Sequence, residues 1–258
     1  MTMSLKVLYA ADCEMQVTTV HKGMDNYSFS EWLDDSTWLR DVFSKAGDID
    51  CRHLKIYEVF TDFPRTLEEM QEYDVIILSD VGINSLALQP GFRPPHAVPM
   101  GPNRIDNLRR YVEGGGGLLM CGGYFSFSGY SGRAGFSGSP VEAVLPVLSE
   151  RGFDDRAEMV QGYRIALTDA GRAHPITQGL DWDGDYMLLG YNRVRAKPES
   201  VVLATGAGDP QIAVAEFGTG RSMAFASDVA PHWAGTFVHW PDYATFWTRA
   251  MRWLAGQS

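Results

Sequence analysis

The sequence predicts an α/β fold built on a mostly parallel sheet, and three observations carry that prediction. Strand-length apolar runs alternate with amphipathic helical patterns between residues 5 and 121, the spacing of βαβ units. The runs at 73–80 (Tyr-Asp-Val-Ile-Ile-Leu-Ser-Asp) and 115–123 (Gly-Gly-Gly-Leu-Leu-Met-Cys-Gly-Gly) are continuously apolar and then stop at small or polar residues. Strands covered on both faces read this way. The 258 residues, 45% of them hydrophobic, supply a core of the size one such domain needs. Neither linker nor repeat interrupts residues 1–258, so a single domain is expected.

The elements follow in order. Residues 5–10 make the first strand, and a polar loop with Asp12, Cys13, His21, Lys22 and Asp25 comes next. Residues 30–46 place Trp32, Leu33, Trp38, Leu39, Val42 and Phe43 at spacings of three and four, which predicts a helix closed by Gly47. Residues 51–60 suit a second strand. Thr66 and Glu69 form a capping box for a short helix. Residues 74–78 form a buried strand that ends at Ser79-Asp80-Val81-Gly82. Five prolines within 89–102 (Pro90, Pro94, Pro95, Pro99, Pro102) predict an ordered loop or lid. Asn103 caps a helix carrying Ile105, Leu108 and Val112, and Gly114 stops it. Beyond Pro140 come β-rich runs at 200–205, 211–217 and 221–227. The last two are joined as a hairpin over Gly218-Thr219-Gly220. A helix over 243–254 with Asp242 as its cap ends the pattern.

Bulk charge narrows the function. The net charge is −10 and there is no Lys/Arg cluster, so nucleic acid is not an expected partner. No apolar stretch is long enough to span a bilayer, and the first residues do not form a signal peptide. The three cysteines, Cys13, Cys51 and Cys121, are an odd number at no metal-like spacing. They read as thiols in a reducing cytoplasm. Asp181, Asp183 and Asp185 read as an acidic turn, because no twelfth-position Glu completes a calcium loop. Gly114–Gly117 precedes a strand and lacks the Lys-Ser/Thr of a phosphate loop. No cofactor and no metal are expected.

The candidate chemistry centres on Cys121. A strand that ends at a nucleophile and turns over Gly122 and Gly123 has the geometry of a nucleophile elbow. Catalysis there needs a lowered thiol pKa, a base and an oxyanion hole. A helix beginning near Gly123 would lower the pKa. His232, in Ser-Asp-Val-Ala-Pro-His-Trp (227–233), is the expected base, with Asp80 or Asp228 orienting it. Backbone N–H groups of Gly122 and of the loop from Asp80 to Gly82 would form the hole. The competing reading makes Cys121 a small buried apolar residue. Tyr124, Ser126 and Ser128 alternate with two phenylalanines and would reach a ligand, as would Trp233. His21, Lys22 and Asp25 would hold a carboxylate or a sugar hydroxyl, unless they form a solvated loop. His21, His232 and Asp80 together give a metal-dependent reading. Trp233, Phe237 and Trp240 are read as exposed and point to a homo-oligomer surface.

The stretches at 73–80 and 115–123, together with His-Pro-Ile-Thr-Gln-Gly-Leu (174–180) and Gly-Arg-Ser-Met-Ala-Phe-Ala-Ser-Asp (220–228), resemble the class I glutamine amidotransferase-like superfamily. More closely, the chain resembles the "putative glutamine amidotransferase" family, related to ThuA-like proteins, from Val7 to Leu254. His-Lys-Gly-Met-Asp (21–25), 122–129 and 230–233 are its most specific stretches. The resemblance implies a flavodoxin-like three-layer sandwich with the site at the strand ends. It also implies an elbow cysteine activated by a histidine, with a glutamate two residues further on. In this sequence the elbow reads Leu119-Met120-Cys121-Gly122-Gly123, without the first glycine, and His232-Trp233-Ala234 stands where His-x-Glu would be. The leading expectation is a cysteine-dependent hydrolase or amidase acting on a small polar metabolite. The rival is a non-catalytic module that binds a sugar-like ligand or serves oligomer assembly.

Overall fold

The computed structural model describes residues 4–93 and 99–257. β1 (Leu5–Ala11) buries every side chain except Lys6, as a strand covered on both faces must. β2 (Cys13–Lys22) and β3 (Asp25–Asp34) form a hairpin in register from Cys13↔Asp34 to Lys22↔Asp25. α1 (Thr37–Ala46) buries Leu39, Val42 and Phe43 and stops at left-handed Gly47. β4 (Ile49–Leu54) and α2 (Ile56–Asp62) follow, then α3 (Leu67–Met70), with Thr66 and Glu69 capping each other. β5 (Val75–Ser79), α4 (Ile83–Ala87), α5 (Arg104–Glu113) and β6 (Gly117–Cys121) complete the first half. Asn103 caps α5 through a 3.1 Å bond from the Asp106 N–H.

The second half adds α6 (Pro140–Val144), β7 (Val147–Ser149), β8 (Arg156–Tyr163), β9 (Ala166–Leu167) and α7 (Asp169–Ala173). β10 (Leu188–Asn192), β11 (Val194–Ala196), β12 (Val201–Gly206), β13 (Asp209–Phe217) and β14 (Gly220–Phe225) follow, and α8 (Pro231–Ala234) and α9 (Tyr243–Leu254) close the chain. The main sheet has eight strands in the order β4-β1-β5-β6-β14-β13-β12-β9. Its first five are mutually parallel and its last three antiparallel, so the fold is the flavodoxin-like α/β arrangement. α1 packs on α9, while α2, α4 and α5 pack on one another, giving two helical layers. From β1 the chain moves to β4 on one side and then crosses to β5 on the other. That reversal is the point where open α/β sheets leave a crevice at the carboxyl ends of their strands.

Three expectations are corrected. The helix foreseen over 30–46 begins only at Thr37, because 25–34 pair as β3. Tyr27-Ser28-Phe29-Ser30 alternates with period two, and Gly23 at φ +64° allows the tight turn before it. The strand foreseen over 51–60 ends at Leu54; the Lys55 N–H then donates to Glu58 Oε2 at 2.9 Å where α2 begins. Trp233, Phe237 and Trp240 are not surface residues. They are 1%, 0% and 2% exposed, and Phe237 and Trp240 belong to an aromatic core with Trp182, Tyr186, Phe225 and Phe246. Of the proline-rich loop, Pro94 and Pro95 lie outside the described residues.

Candidate functional site

A crevice of about 300 Å³ opens at the strand-order reversal. Asp12 enters it from the end of β1, Asp80 from the end of β5, Tyr124 and Phe125 from beyond β6, and Asp228 and His232 from beyond β14. Cys13, Glu14 and Gln16 at the base of β2, with Asp35 after β3, form the remaining wall. An adjoining cleft of about 280 Å³ shares Asp80 and Phe125 and adds Gly82, Asn84, Ser85 and Arg133. Backbone strain marks the same place. Ala11 (φ 78°), Asp12 (φ 56°) and Asp80 (φ 47°) are non-glycine residues in the left-handed region, at the ends of two adjacent strands. Each such residue costs about 1 kcal/mol, and strain of this kind concentrates where side chains must be aimed.

The electrostatics of the crevice are set by crowded carboxylates. Burial raises the Asp80 carboxyl to about 7, and the charge of Asp228 adds to the effect. A bond from the Phe125 N–H and the nearby His232 oppose the rise without cancelling it. Asp12 is pushed up by burial and then by Asp228 and Asp80, although the Tyr9 hydroxyl donates to it. His232 is raised, chiefly by its hydrogen bond to Asp228, whose Oδ2 lies 3.4 Å from Nδ1. Asp228 is fixed in turn by the Ala230 N–H at 3.0 Å. The result is an imidazole oriented by a carboxylate, facing a carboxyl group that holds a proton near neutrality.

Aromatic groups shape the rim. The Tyr124 ring meets His232 edge-on at 4.9 Å, and its hydroxyl donates to Glu158 at 3.0 Å. The Arg156 guanidinium lies over both Tyr124 and Tyr130, at 4.3 and 4.4 Å from their centroids. Behind this rim Trp233 stacks on His232 and donates from Nε1 to Glu158 at 3.3 Å. Trp233 therefore supports the imidazole from inside the fold.

Cys121 does not line the crevice. Its side chain is fully buried in the core; its backbone pairs with Ser79 of β5 on one side and Phe225 of β14 on the other. Burial first, then the charges of Asp12 and Asp228, push its thiol well above the ordinary range, the reverse of what a nucleophilic thiolate needs. The elbow also lacks its expected supports. Residues 122–129 contain no α-helix. The Gly122 N–H already donates to the carbonyls of Phe225 and Ser227, both at 2.8 Å. The Gly123 N–H donates to Asn192 Oδ1 at 2.9 Å, and the Asp80 N–H to Ser126 Oγ at 3.1 Å. The Gly122, Gly123 and Asp80 donors are spent on locking the loop, so none of these three serves an oxyanion hole. Asp155 completes the lock by accepting from Ser128 N–H, Gly129 N–H and Asn192 Nδ2 at 2.7–2.9 Å. Ser128 itself is buried and donates to the Glu150 carbonyl.

His21, Lys22 and Asp25 stand elsewhere. They occupy the far end of the β2–β3 hairpin, exposed, about 30 Å from Cys13 at 3.3 Å per residue. His21 therefore does not join His232 and Asp80. Among the described residues no three His, Cys, Asp or Glu side chains form a group able to hold a metal ion. The crevice gathers His232, Asp80 and Tyr124 from the expected set, with Gly82 in the adjoining cleft. It adds Glu14, Gln16, Asp35 and Phe125; Glu14 and Gln16 carried no sequence signal because the hairpin that supplies them read as loop and helix.

Comparison with known proteins agrees with the architecture. The family model described as "Putative glutamine amidotransferase" matches residues 6–256. Two structures of proteins from Salmonella typhimurium, both described as cytoplasmic, superpose with a TM-score of 0.89. They are 32% and 34% identical, and each comparison covers 97% of this chain and 99% of the other. A ThuA-like protein from Parabacteroides merdae superposes with a TM-score of 0.55 at 12% identity, over 98% of this chain and 91% of that one, and shares the fold. No match is found among curated proteins.

Proposed function

The chain belongs to the family described as "Putative glutamine amidotransferase", and we propose that within it the chain is an acid–base hydrolase of a small polar metabolite. One observation carries the reading. A carboxyl group raised to about 7 and an imidazole oriented by a carboxylate share one crevice at the strand-order reversal. Proton transfer is most efficient when the pKa lies near the working pH. The pair suits hydrolysis: one group takes a proton from the attacking water, and the other gives a proton to the departing oxygen or nitrogen. Five carboxyl groups line the crevice and no lysine or arginine does, so it disfavours anions even with Asp80 and Asp12 protonated, and the ligand is neutral or cationic, with hydroxyl or amide groups to pair with them. Thiolate attack by Cys121 is disfavoured, since its side chain is fully buried and outside the crevice.

The second reading is a non-catalytic module that binds a sugar-like ligand. The combination of carboxylates with the rings of Tyr124 and Phe125 favours it, because sugars offer hydroxyls at their edges and C–H faces to aromatic rings. The same cytoplasmic compartment as that given for the Salmonella relatives is part of the proposal.

The test is a panel of neutral and cationic metabolites. Binding is read as thermal stabilisation, and turnover as product or ammonia release. A compound that stabilises the wild type is expected to be turned over. Turnover should vanish in Asp80→Asn and His232→Gln and persist in Cys121→Ser. Loss of turnover in a stably folded Cys121→Ser would overturn the acid–base reading. Tight binding without turnover would favour the binding module.

A further inference from the structure

β8 and β10 form a two-stranded ribbon apart from the main sheet. Gly190 of β10 stands opposite Glu158 of β8, so the two positions share one face of the ribbon. Gly190 has no side chain, and the Trp233 indole fills the gap. A Cβ at position 190 would stand 2.4 Å from both Cδ1 and Nε1 of that ring, so only glycine lets the indole lie on the strand. From there the indole N–H reaches across the ribbon to the Glu158 carboxylate.

Glu158 divides its two oxygens between two aromatic side chains. Oε2 accepts from Trp233 Nε1 at 3.3 Å, and Oε1 accepts from the Tyr124 hydroxyl at 3.0 Å. Those rings are the two walls of His232. Trp233 lies nearly parallel to the imidazole, with centroids 5.4 Å apart and planes at 18°. Tyr124 meets it edge-on at 4.9 Å and 70°. Arg156 balances the Glu158 charge from 3.6 Å, and Glu158 itself does not line the crevice. Trp233 is buried, and Glu158 is the one hydrogen-bond partner of its indole N–H among the described residues. Losing that partner would strand a buried donor.

The imidazole's own anchor is slack: Nδ1 lies 3.4 Å from Asp228 Oδ2, longer than the usual N–H···O distance. Such a bond leaves the ring free to turn unless its walls hold it. We propose that Glu158 is a positioning residue: by tying Tyr124 to Trp233 it clamps the His232 ring, so that Nδ1 stays on Asp228 and Nε2 is left for the crevice. A catalytic imidazole needs this kind of support, with its orientation set by packing and by hydrogen bonds one layer out. The consequence for turnover rests on the acid–base reading; the clamp itself does not.

Nitrogen-15 NMR of the unliganded protein tests the clamp, with the His232 signals assigned by their loss in His232→Gln. At a pH where the ring is neutral, the wild type should show a single tautomer with its proton on Nδ1. Glu158→Ala should give shifts averaged over two tautomers and lose the through-space contacts from His232 to Tyr124. Glu158→Gln should restore the wild-type pattern, because its amide oxygen accepts from the indole and its amide nitrogen can donate to the Tyr124 oxygen. On a compound that the wild type turns over, Glu158→Ala should lower kcat roughly tenfold with KM little changed, a fraction of what a whole acid–base group contributes. Mixed tautomers in the wild type would overturn the proposal. So would a Glu158→Ala protein with the wild-type tautomer and contacts, or a Glu158→Gln protein as disturbed as Glu158→Ala. Should Glu158→Ala misfold, the wild-type and Glu158→Gln spectra still decide. Turnover that survives Asp80→Asn and His232→Gln would remove the acid–base reading and leave the clamp to be judged by the spectra alone.

Discussion

Replacing Asp80 by Asn should stabilise the fold increasingly as the pH rises. Burial and the charge of Asp228 raise this carboxyl from its ordinary 3.8 to about 7 in the folded protein. The unfolded chain releases the proton near the ordinary value. Between those two pH values the folded state holds one more proton than the unfolded state, so stability falls with rising pH, by about 1.4 kcal/mol per pH unit. The total loss approaches about 4 kcal/mol once the pH exceeds the folded value. Asn has no proton to lose, and its amide oxygen can still accept from the Phe125 N–H. Urea denaturation of both proteins at pH 5 and pH 8 measures the effect. The advantage of Asp80→Asn should grow by about 3 kcal/mol between the two conditions. The raised Asp12 acts in the same direction in both proteins and largely cancels in the difference. A difference that stays within about 1 kcal/mol across that range would refute the claim that Asp80 keeps its proton to neutrality, and the acid–base reading with it.

Two further outcomes follow from burial and contact. Iodoacetamide at pH 7 should leave Cys121 of the native protein unlabelled, and labelling should appear only with global unfolding, because its side chain is fully buried in the core. Rapid native labelling followed by peptide mapping would contradict that placement. Gly123→Ala should cost about 3 kcal/mol in urea denaturation. Its Cβ would stand 2.8 Å from the Asp80 carboxyl carbon, at a backbone φ of +153°; an unchanged midpoint would show that Asp80 is not held where described.

The sheet was legible in the sequence because its strands are buried on both faces and end abruptly. The runs ending at Ser79 and Cys121 sit where expected, and α9 spans the foreseen 243–254. The hairpin was not legible. Trp32 and Leu33 lie at helical spacing from Trp38 and Leu39, and that coincidence outweighed the period-two signal of 27–30. The expected cap of α9 is only half present, since the Asp242 carboxylate accepts from the Asp181 N–H at 2.8 Å and makes no capping bond. At the site, His232 and Asp80 were legible as polar residues placed just after strands. The status of Cys121 was not, because a strand-end cysteine followed by two glycines is compatible with either orientation of its side chain. In the fold β6 is buried on both faces and the cysteine lies in the core. Asp12 was seen only as part of a polar loop; the left-handed turn that aims it into the crevice depends on neighbours far away in sequence.

The loop after β6 has a consequence for how any ligand arrives. Its amide groups are engaged by Phe225, Ser227, Asn192 and Asp155 before a visitor comes near. Little about this wall needs to rearrange on binding, so a ligand meets a finished mould and encounter is governed by diffusion and the shedding of water. Selectivity then rests on shape and on the placing of protons, and compounds that require the wall to open will be rejected however well their polar groups match.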